Sequence, residues 1–211
     1  MYKVIACSIF KPYIESLSLH SDSYDFVYLE IKQHNHPNTL VKNIQKEIDN
    51  SRGYTNIIVL YGLCGGALLK IQVRDIPLIV VKVHDCMSIM LGSKKRYQDL
   101  TKINKSITWT CYSLQLENDT NSNIEEWQQL YDEEMVAYLT SILVPTPTLY
   151  ISFNLQEEKN IEEKEIIAGD IQFLKDILNG TSKELLTLHP GEKLKQSDDD
   201  TVIEKERIWK S

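Results

Sequence analysis

The hydrophobic residues of this chain form short apolar runs that alternate with segments of helical spacing. Residues 57–60 and 78–81 are the clearest runs: they are rich in β-branched residues and bounded by turn-forming residues, as is typical of strands buried on both faces. Strands that alternate with helices indicate a parallel sheet. The pattern therefore predicts a single-domain α/β protein, with a mostly parallel sheet flanked by helices on both faces and a Rossmann-like or flavodoxin-like winding.

The same pattern predicts the individual elements. The predicted strands cover residues 2–8, 26–31, 56–61, 76–83, 107–112, 149–153 and 184–188. The longer predicted helices cover residues 38–49, 93–102, 123–143 and 166–178, with short helices near residues 12–17, 67–73 and 86–92. We expect the domain to span residues 1–192 and a polar C-terminal tail to span residues 193–211. For the sheet we assume the order 2-1-3-4-5 of flavodoxin-like proteins.

Composition and charge narrow the classes of function. The formal net charge is −7 and the sequence contains no stripe of basic residues, so we expect no nucleic-acid partner. No apolar run approaches the roughly 18 residues that a membrane span needs, and no signal peptide is recognisable. We therefore expect a cytoplasmic protein without membrane contact, whose four cysteines act as thiols, ligands or catalysts instead of forming disulfides.

Reactive side chains follow the predicted strands at the points where the strands end. Cys7 ends the first strand, Cys64 follows the third, and His84, Asp85 and Cys86 follow the fourth. The carboxyl ends of parallel strands share one edge of the sheet, which is where ligands bind in open α/β sheets. With the assumed order the first, third and fourth strands are neighbours about 5 Å apart, so the three thiols should converge.

Three thiolates and an imidazole are ligands that suit a metal. Cys7, Cys64 and Cys86 are the candidate metal ligands, and His84 is either the fourth ligand or a catalytic base that Asp85 orients. This donor set fits a tetrahedral zinc ion, or a [4Fe-4S] cluster that leaves one iron open to substrate.

Two glycines, Gly65 and Gly66, are candidate cofactor-binding residues. They follow Cys64 directly, and glycines let the backbone approach a bulky ligand closely or donate N–H groups to it. A phosphate-binding loop is a poorer interpretation, since the glycine spacing and the following lysine of such loops are absent.

Other interpretations stay open at this point. Buried free cysteine is a common small apolar residue, and no Cys-x-x-Cys pair occurs in the chain. Cys64 is also a candidate nucleophile, with His84 as its base. His34 and His36 follow the second strand at the same edge and are possible additional ligands or simple loop residues.

Three motifs resemble a known family. The chain reads Y-G-L-C-G at residues 61–65, H-D-C at 84–86, and L-G-S at 91–93 followed by basic residues and Tyr97. In this respect it is similar to domain-of-unknown-function family 1638, over about residues 2–192. The departures are residues 109–112 (Trp-Thr-Cys-Tyr) and Gly66-Ala67, where the family has other residues.

The resemblance adds two functional ideas, because we associate that family with gene neighbourhoods of corrinoid-dependent methyl transfer. One is a metal–thiolate site that handles methyl or sulfur groups of a small-molecule ligand. The other is a non-metal accessory module that binds a corrinoid protein or a methyltransferase.

Overall fold

The structure is a computed structural model that describes residues 1–17, 19, 21–103, 107–117, 127–128, 130–142, 148–158, 165–197 and 202–208. Its strands are β1 (Tyr2–Cys7), β2 (Tyr24–Leu29), β3 (Asn56–Leu60), β4 (Leu78–Val81), β5 (Thr108–Cys111), β6 (Thr148–Ser152), β7 (Glu165–Ala168), β8 (Leu185–Leu188), β9 (Glu192–Gln196) and β10 (Ile203–Arg207). Its α-helices include α1 (Lys11–Glu15), α2 (Pro37–Asn50), α3 (Cys86–Met90), α4 (Lys94–Ile103), α5 (Tyr112–Glu117), α6 (Glu133–Ile142) and α7 (Ile171–Leu178). Two 3₁₀ helices, Ile31–Asn35 and Cys64–Lys70, matter for the site.

The main sheet has five strands in the order β2-β1-β3-β4-β8. The first four are parallel, and β8 pairs antiparallel to β4. The molecule is thus a mixed α/β protein whose main sheet is mostly parallel. The predicted order of the first four strands is confirmed, but the prediction that β5 comes next is wrong, because β8 occupies that position.

The core follows from the apolar runs that the sequence contains. All four residues of β4 are buried, as are the last four of β3, so neither face of these strands meets water. Helix α2 buries Leu40, Ile44 and Ile48, which recur every four residues on one side of the helix. Burial of these apolar surfaces is the main force that holds the sheet and α2 together.

A second sheet contains β5, β6 and β7, all parallel, in that order. The prediction of one helix over residues 166–178 is wrong at its beginning: Glu165–Ala168 is β7, and α7 begins only at Ile171. Two features separate these elements. Gly169 lies so close to the Phe153 ring that a Cβ atom would come within 2.5 Å of it, and the Asp170 side chain caps α7 by accepting from the Phe173 N–H.

The long helix predicted over residues 123–143 is not continuous. Helix α6 begins at Glu133, and the Asp132 side chain accepts a hydrogen bond from the Met135 N–H at this end. The predicted residues 123–126, 129 and 143 lie outside the described part of the chain. The helical spacing of its apolar residues predicts one buried face for this helix. Leu130, Tyr131, Met135 and Tyr138 of that face are between 44% and 65% exposed, so the expectation is wrong for these four residues.

The last part of the chain forms a β-hairpin. Strands β9 and β10 pair antiparallel, and Leu194, Val202 and Ile203 are buried in the hydrophobic core. Strand β9 also lies against the 3₁₀ helix Cys64–Lys70. Within the described residues, we find no helix with the length and apolarity needed to cross a bilayer.

Candidate metal centre

Four consecutive strands of the main sheet deliver side chains to one edge. Cys7 is the last residue of β1, His34 lies in the 3₁₀ helix after β2, Cys64 begins the 3₁₀ helix after β3, and Cys86 begins α3 after β4. Strands β2, β1, β3 and β4 are adjacent and parallel, so their carboxyl ends share this edge. The predicted convergence of Cys64 and Cys86 at the carboxyl edge is confirmed by the contact between their sulfur atoms.

Backbone hydrogen bonds hold the Cys64 loop against the Cys86 loop beyond the ends of their strands. The N–H of Leu63 donates to the carbonyl of Val83 at 3.0 Å, and the N–H of Cys64 donates to the carbonyl of His84 at 3.2 Å. Gly62 permits this contact, because a Cβ atom there would lie 2.4 Å from the Asp85 Cα atom. The two thiol-bearing loops are therefore fixed relative to each other by the main chain.

Cys64 has an uncommon backbone conformation. Its φ is +45°, in the left-handed region that residues other than glycine rarely adopt. Gly66 lies two residues later and has φ +82°. The N–H of Gly66 donates to the carbonyl of Leu63 at 2.9 Å, which closes the turn. Such conformations cost free energy and are found preferentially at functional sites. The cofactor-binding role predicted for Gly65 and Gly66 remains a prediction.

Three side chains form a group that could hold a metal ion: His34, Cys64 and Cys86. Their ligand atoms all lie within 4.8 Å of one another, and the Cys64 and Cys86 sulfur atoms are 4.0 Å apart. The His34 Nδ1 atom is 3.2 Å from the Ile31 carbonyl oxygen. Since a carbonyl only accepts, Nδ1 carries the hydrogen in this contact, and in the neutral imidazole Nε2 then has the free lone pair that a metal ion binds.

The donor set fits a metal ion in its chemistry and in its spacing. Two sulfur atoms that bind one tetrahedral zinc ion, each at about 2.3 Å, lie about 3.8 Å apart, close to the 4.0 Å between Cys64 and Cys86. Both thiols are also buried, at 8% and 3% exposure, so an ion bound there would be shielded from bulk water.

Cys7 lies beside this group. Its side chain hydrogen-bonds with Cys86, which is the main reason that the pKa of Cys7 is far above its ordinary value; burial raises it further. Hydrogen bonding with Cys64 in turn raises the pKa of Cys86, and hydrogen bonding with Cys7 raises the pKa of His34. A thiol binds a metal ion as its thiolate, so metal binding at Cys86 must release a proton.

His84 and Asp85 are placed differently from each other. The His84 side chain is exposed, and its carbonyl receives the Cys64 N–H; the imidazole within the ligand group belongs to His34. Asp85 caps α3, since its Oδ1 atom accepts from the Ser88 N–H at 2.9 Å and the Ser88 hydroxyl at 3.1 Å. The catalytic roles assigned to His84 and Asp85, and the ligand roles of His84 and Cys7, remain predictions.

Tyr61 lies beside the thiols. It is the first residue of the Y-G-L-C-G motif, but no role at the site was predicted for it. The register of β1 and β3 pairs Ala6 with Leu60, so Cys7 and Tyr61 are the next residues along these neighbouring strands. The Tyr61 ring lies 6.2 Å from the His34 ring between centroids. The sequence feature that could have indicated Tyr61 is its position directly after a buried strand and directly before Gly62.

Cys111, the fourth cysteine, ends β5 in the second sheet and is fully buried. Burial raises the pKa of Cys111 to about 11. Among the described residues it is not part of the ligand group, and all four cysteines are free thiols.

Comparison with known proteins places the chain in a family without assigning it an activity. Searches of curated proteins and of solved structures found no match. A family model described as "Protein of unknown function (DUF1638)" matches residues 28–178, which contain His34, Cys64 and Cys86. This match covers well over half of the 211 residues, and the chain therefore belongs to the DUF1638 family.

Proposed function

We propose that this protein binds a single zinc ion through His34, Cys64 and Cys86. The observation that carries the proposal is the mutual spacing of the three ligand atoms, all within 4.8 Å, at the carboxyl edge of the sheet. The donor set supports it as well, because thiolate sulfur and imidazole nitrogen are the ligands that zinc prefers in proteins.

The spacing favours one ion over an iron–sulfur cluster. In a [4Fe-4S] cluster each cysteine binds a different iron, so the cysteine sulfurs lie further apart than those that share one ion. The 4.0 Å between the sulfurs of Cys64 and Cys86 matches a shared ion. A cluster, the other cofactor that the sequence suggested, is an outcome that the experiment below distinguishes.

The chemistry of such a centre is that of a Lewis acid. Two cysteines and one histidine are a ligand set of catalytic zinc sites, which keep one position for substrate. Together with the family resemblance, this supports a role in methyl- or sulfur-group transfer to or from a small molecule, carried out in the cytoplasm, where thiols stay reduced. We also propose that helices cover both faces of the main sheet and that its strands follow a flavodoxin-like winding.

A partner-binding function is the second candidate. Helix α6 and the residue before its cap present large apolar side chains to solvent: Tyr131, Met135 and Tyr138 are between 44% and 59% exposed. The resemblance suggests a corrinoid protein or a methyltransferase as the partner. Both this candidate and the alternative of an enzyme with Cys64 as its nucleophile predict that the protein functions without a bound metal ion.

Elemental analysis and a visible absorption spectrum of anaerobically purified protein test the proposal. We expect about one zinc per chain and no colour, and we expect Cys64→Ser and Cys86→Ser each to lose most of the metal because thiolate ligation is lost. Cys111→Ser is the matched control, a buried free thiol outside the ligand group, and should keep the metal. Iron with sulfide and a broad visible band would identify a cluster instead, and metal-free protein would favour the second candidate.

A further inference from the structure

Tyr61 carries a buried hydroxyl group that its surroundings leave unsatisfied. The residue is 1% exposed, and its hydroxyl makes no hydrogen bond with the described residues. The Tyr61 ring lies 6.2 Å from the ring of the candidate ligand His34 between centroids. Burial, followed by the nearby sulfur atoms of Cys7, Cys86 and Cys64, holds the pKa of Tyr61 far above its ordinary value. The hydroxyl therefore belongs to a buried side chain that lies beside the ligand group.

An unsatisfied buried hydroxyl costs free energy, because it has lost its hydrogen bonds to water without replacing them. A phenylalanine would avoid this cost and fill nearly the same volume. A ligand that binds between this hydroxyl and the thiols would satisfy it.

The ligand group itself also calls for one more donor. His34, Cys64 and Cys86 supply three ligand atoms, and zinc is almost always four-coordinate in a tetrahedral site. Cys7 is the last residue of the neighbouring strand β1, and among the described residues it does not belong to the set whose ligand atoms all lie within 4.8 Å of one another. The fourth donor is therefore Cys7 after a movement, or a molecule from solution.

We propose that the fourth ligand is a small exogenous molecule, water or an anion such as a thiolate, held by a hydrogen bond to the hydroxyl of Tyr61. This inference rests on the proposed zinc centre and adds the residue that recognises what the metal binds. A tyrosine hydroxyl can donate to an anion and accept from water, so it serves both ligands.

Burial limits what this ligand can be. Cys7, Cys86 and Cys64 are 1%, 3% and 8% exposed, and Cys64 is thus the most exposed of the three. A donor group must reach the metal on the side of Cys64 and the half-buried His34. The ligand is therefore a small molecule or the narrow end of a larger one, and a small thiol is a suitable probe for it.

Cobalt(II)-substituted protein provides the test, since its visible bands report the ligands of the ion without any assay of activity. The wild type should bind about one cobalt, and 2-mercaptoethanol should change its spectrum in a saturable way. Tyr61→Phe should still bind cobalt, but with an affinity for 2-mercaptoethanol lower by roughly tenfold or more, the usual loss for one hydrogen bond to a charged group.

Tyr13→Phe is the matched control for Tyr61→Phe. Tyr13 is also fully buried with a hydroxyl lacking a hydrogen-bond partner in the described structure, but it lies beside Cys111. This variant should bind 2-mercaptoethanol like the wild type. Equal affinity in Tyr61→Phe and Tyr13→Phe would overturn the proposal.

Cys7→Ser separates the two possible fourth ligands, because the sulfur-to-cobalt absorption grows with the number of thiolates bound. We expect this variant to keep the wild-type intensity. A loss of intensity, or a wild-type spectrum that does not respond to 2-mercaptoethanol, would show that Cys7 closes the site and would overturn this inference alone. Failure of the wild type to bind cobalt would overturn the zinc centre and this inference together.

Discussion

At the carboxyl edge of the main sheet, individual residues decide how closely two loops of the main chain approach each other. Gly62 is the clearest case: its missing side chain lets the Cys64 loop contact the Asp85 backbone, and a Cβ atom would lie 2.4 Å from Asp85 Cα. No flexible side chain is available to move aside there. The metal ligands on the two loops therefore depend on a residue that has no chemistry of its own.

The substitution Gly62→Ala should lower the free energy of unfolding by about 2–3 kcal/mol, since overpacking must displace the backbone. It should also lower zinc occupancy, as Cys64 and Cys86 lose their spacing. Urea unfolding and elemental analysis measure the two effects.

The control for this substitution is Gly180→Ala. Gly180 has φ +73°, and no atom lies within 4 Å of the place that a Cβ atom would take. Alanine there suffers only backbone strain, about 1 kcal/mol. A loss at Gly62 no greater than that at Gly180 would contradict the close-packing argument.

Among the elements, the short helix α3 shows how one side chain can serve structure and site at once. Asp85 caps α3, and α3 begins with the ligand Cys86. The cap satisfies an N–H group that the first turn of a helix leaves without an intrahelical partner. Asp85 therefore fixes the end of the helix from which Cys86 reaches the ligand group.

Replacing Asp85 separates these two roles. Asp85→Ala should cost about 1 kcal/mol of unfolding free energy, and Asp85→Asn should restore most of it because asparagine caps equally well. We expect both variants to keep their zinc, as measured by elemental analysis beside urea unfolding. If Asp85→Asn keeps its stability but loses zinc, the carboxylate acts on the centre itself and not only as a cap.

At the scale of the whole molecule, the C-terminal hairpin belongs to the packing of the site. Strand β9 lies against the 3₁₀ helix that begins with Cys64, and Leu194 of β9 is 4% exposed. Leu194, Val202 and Ile203, which belong to the segment predicted as a polar tail, thus contribute apolar side chains to the core. Whether they form part of one domain with residues 1–192 remains a prediction.

Leu194→Ala should lower the free energy of unfolding by about 2–4 kcal/mol, because it removes buried apolar volume and leaves a cavity. Lys195→Ala is the control on the neighbouring residue: it removes an exposed cross-strand pair with Glu204 and should cost about 0.5 kcal/mol or less. Urea unfolding compares the two. Equal effects would mean that the hairpin does not pack on the rest of the protein as described.

The sequence-based predictions were more accurate for features that depend on a short segment of the chain than for features that depend on contacts between distant segments. Strands β1, β3 and β4 were predicted because fully buried strands need unbroken apolar runs. Strand β7 was missed, because four residues, Glu165–Ala168, stand directly before a helix and share its apolar character. Leu130, Met135 and Tyr138 have helical spacing, but spacing alone does not reveal whether anything covers that face, and all three are exposed.

The sequence by itself determined that Cys64 and Cys86 lie at the carboxyl edge of the sheet, because both follow buried parallel strands and such strands end at one edge. Their contact followed only when a strand order was assumed. Only the tertiary structure decided that the imidazole beside them belongs to His34, that β8 continues the main sheet, and that the Tyr61 hydroxyl lies near the thiols. These choices depend on strand order, register and side-chain direction, which are set by packing between residues far apart in the chain and leave no local pattern in the sequence.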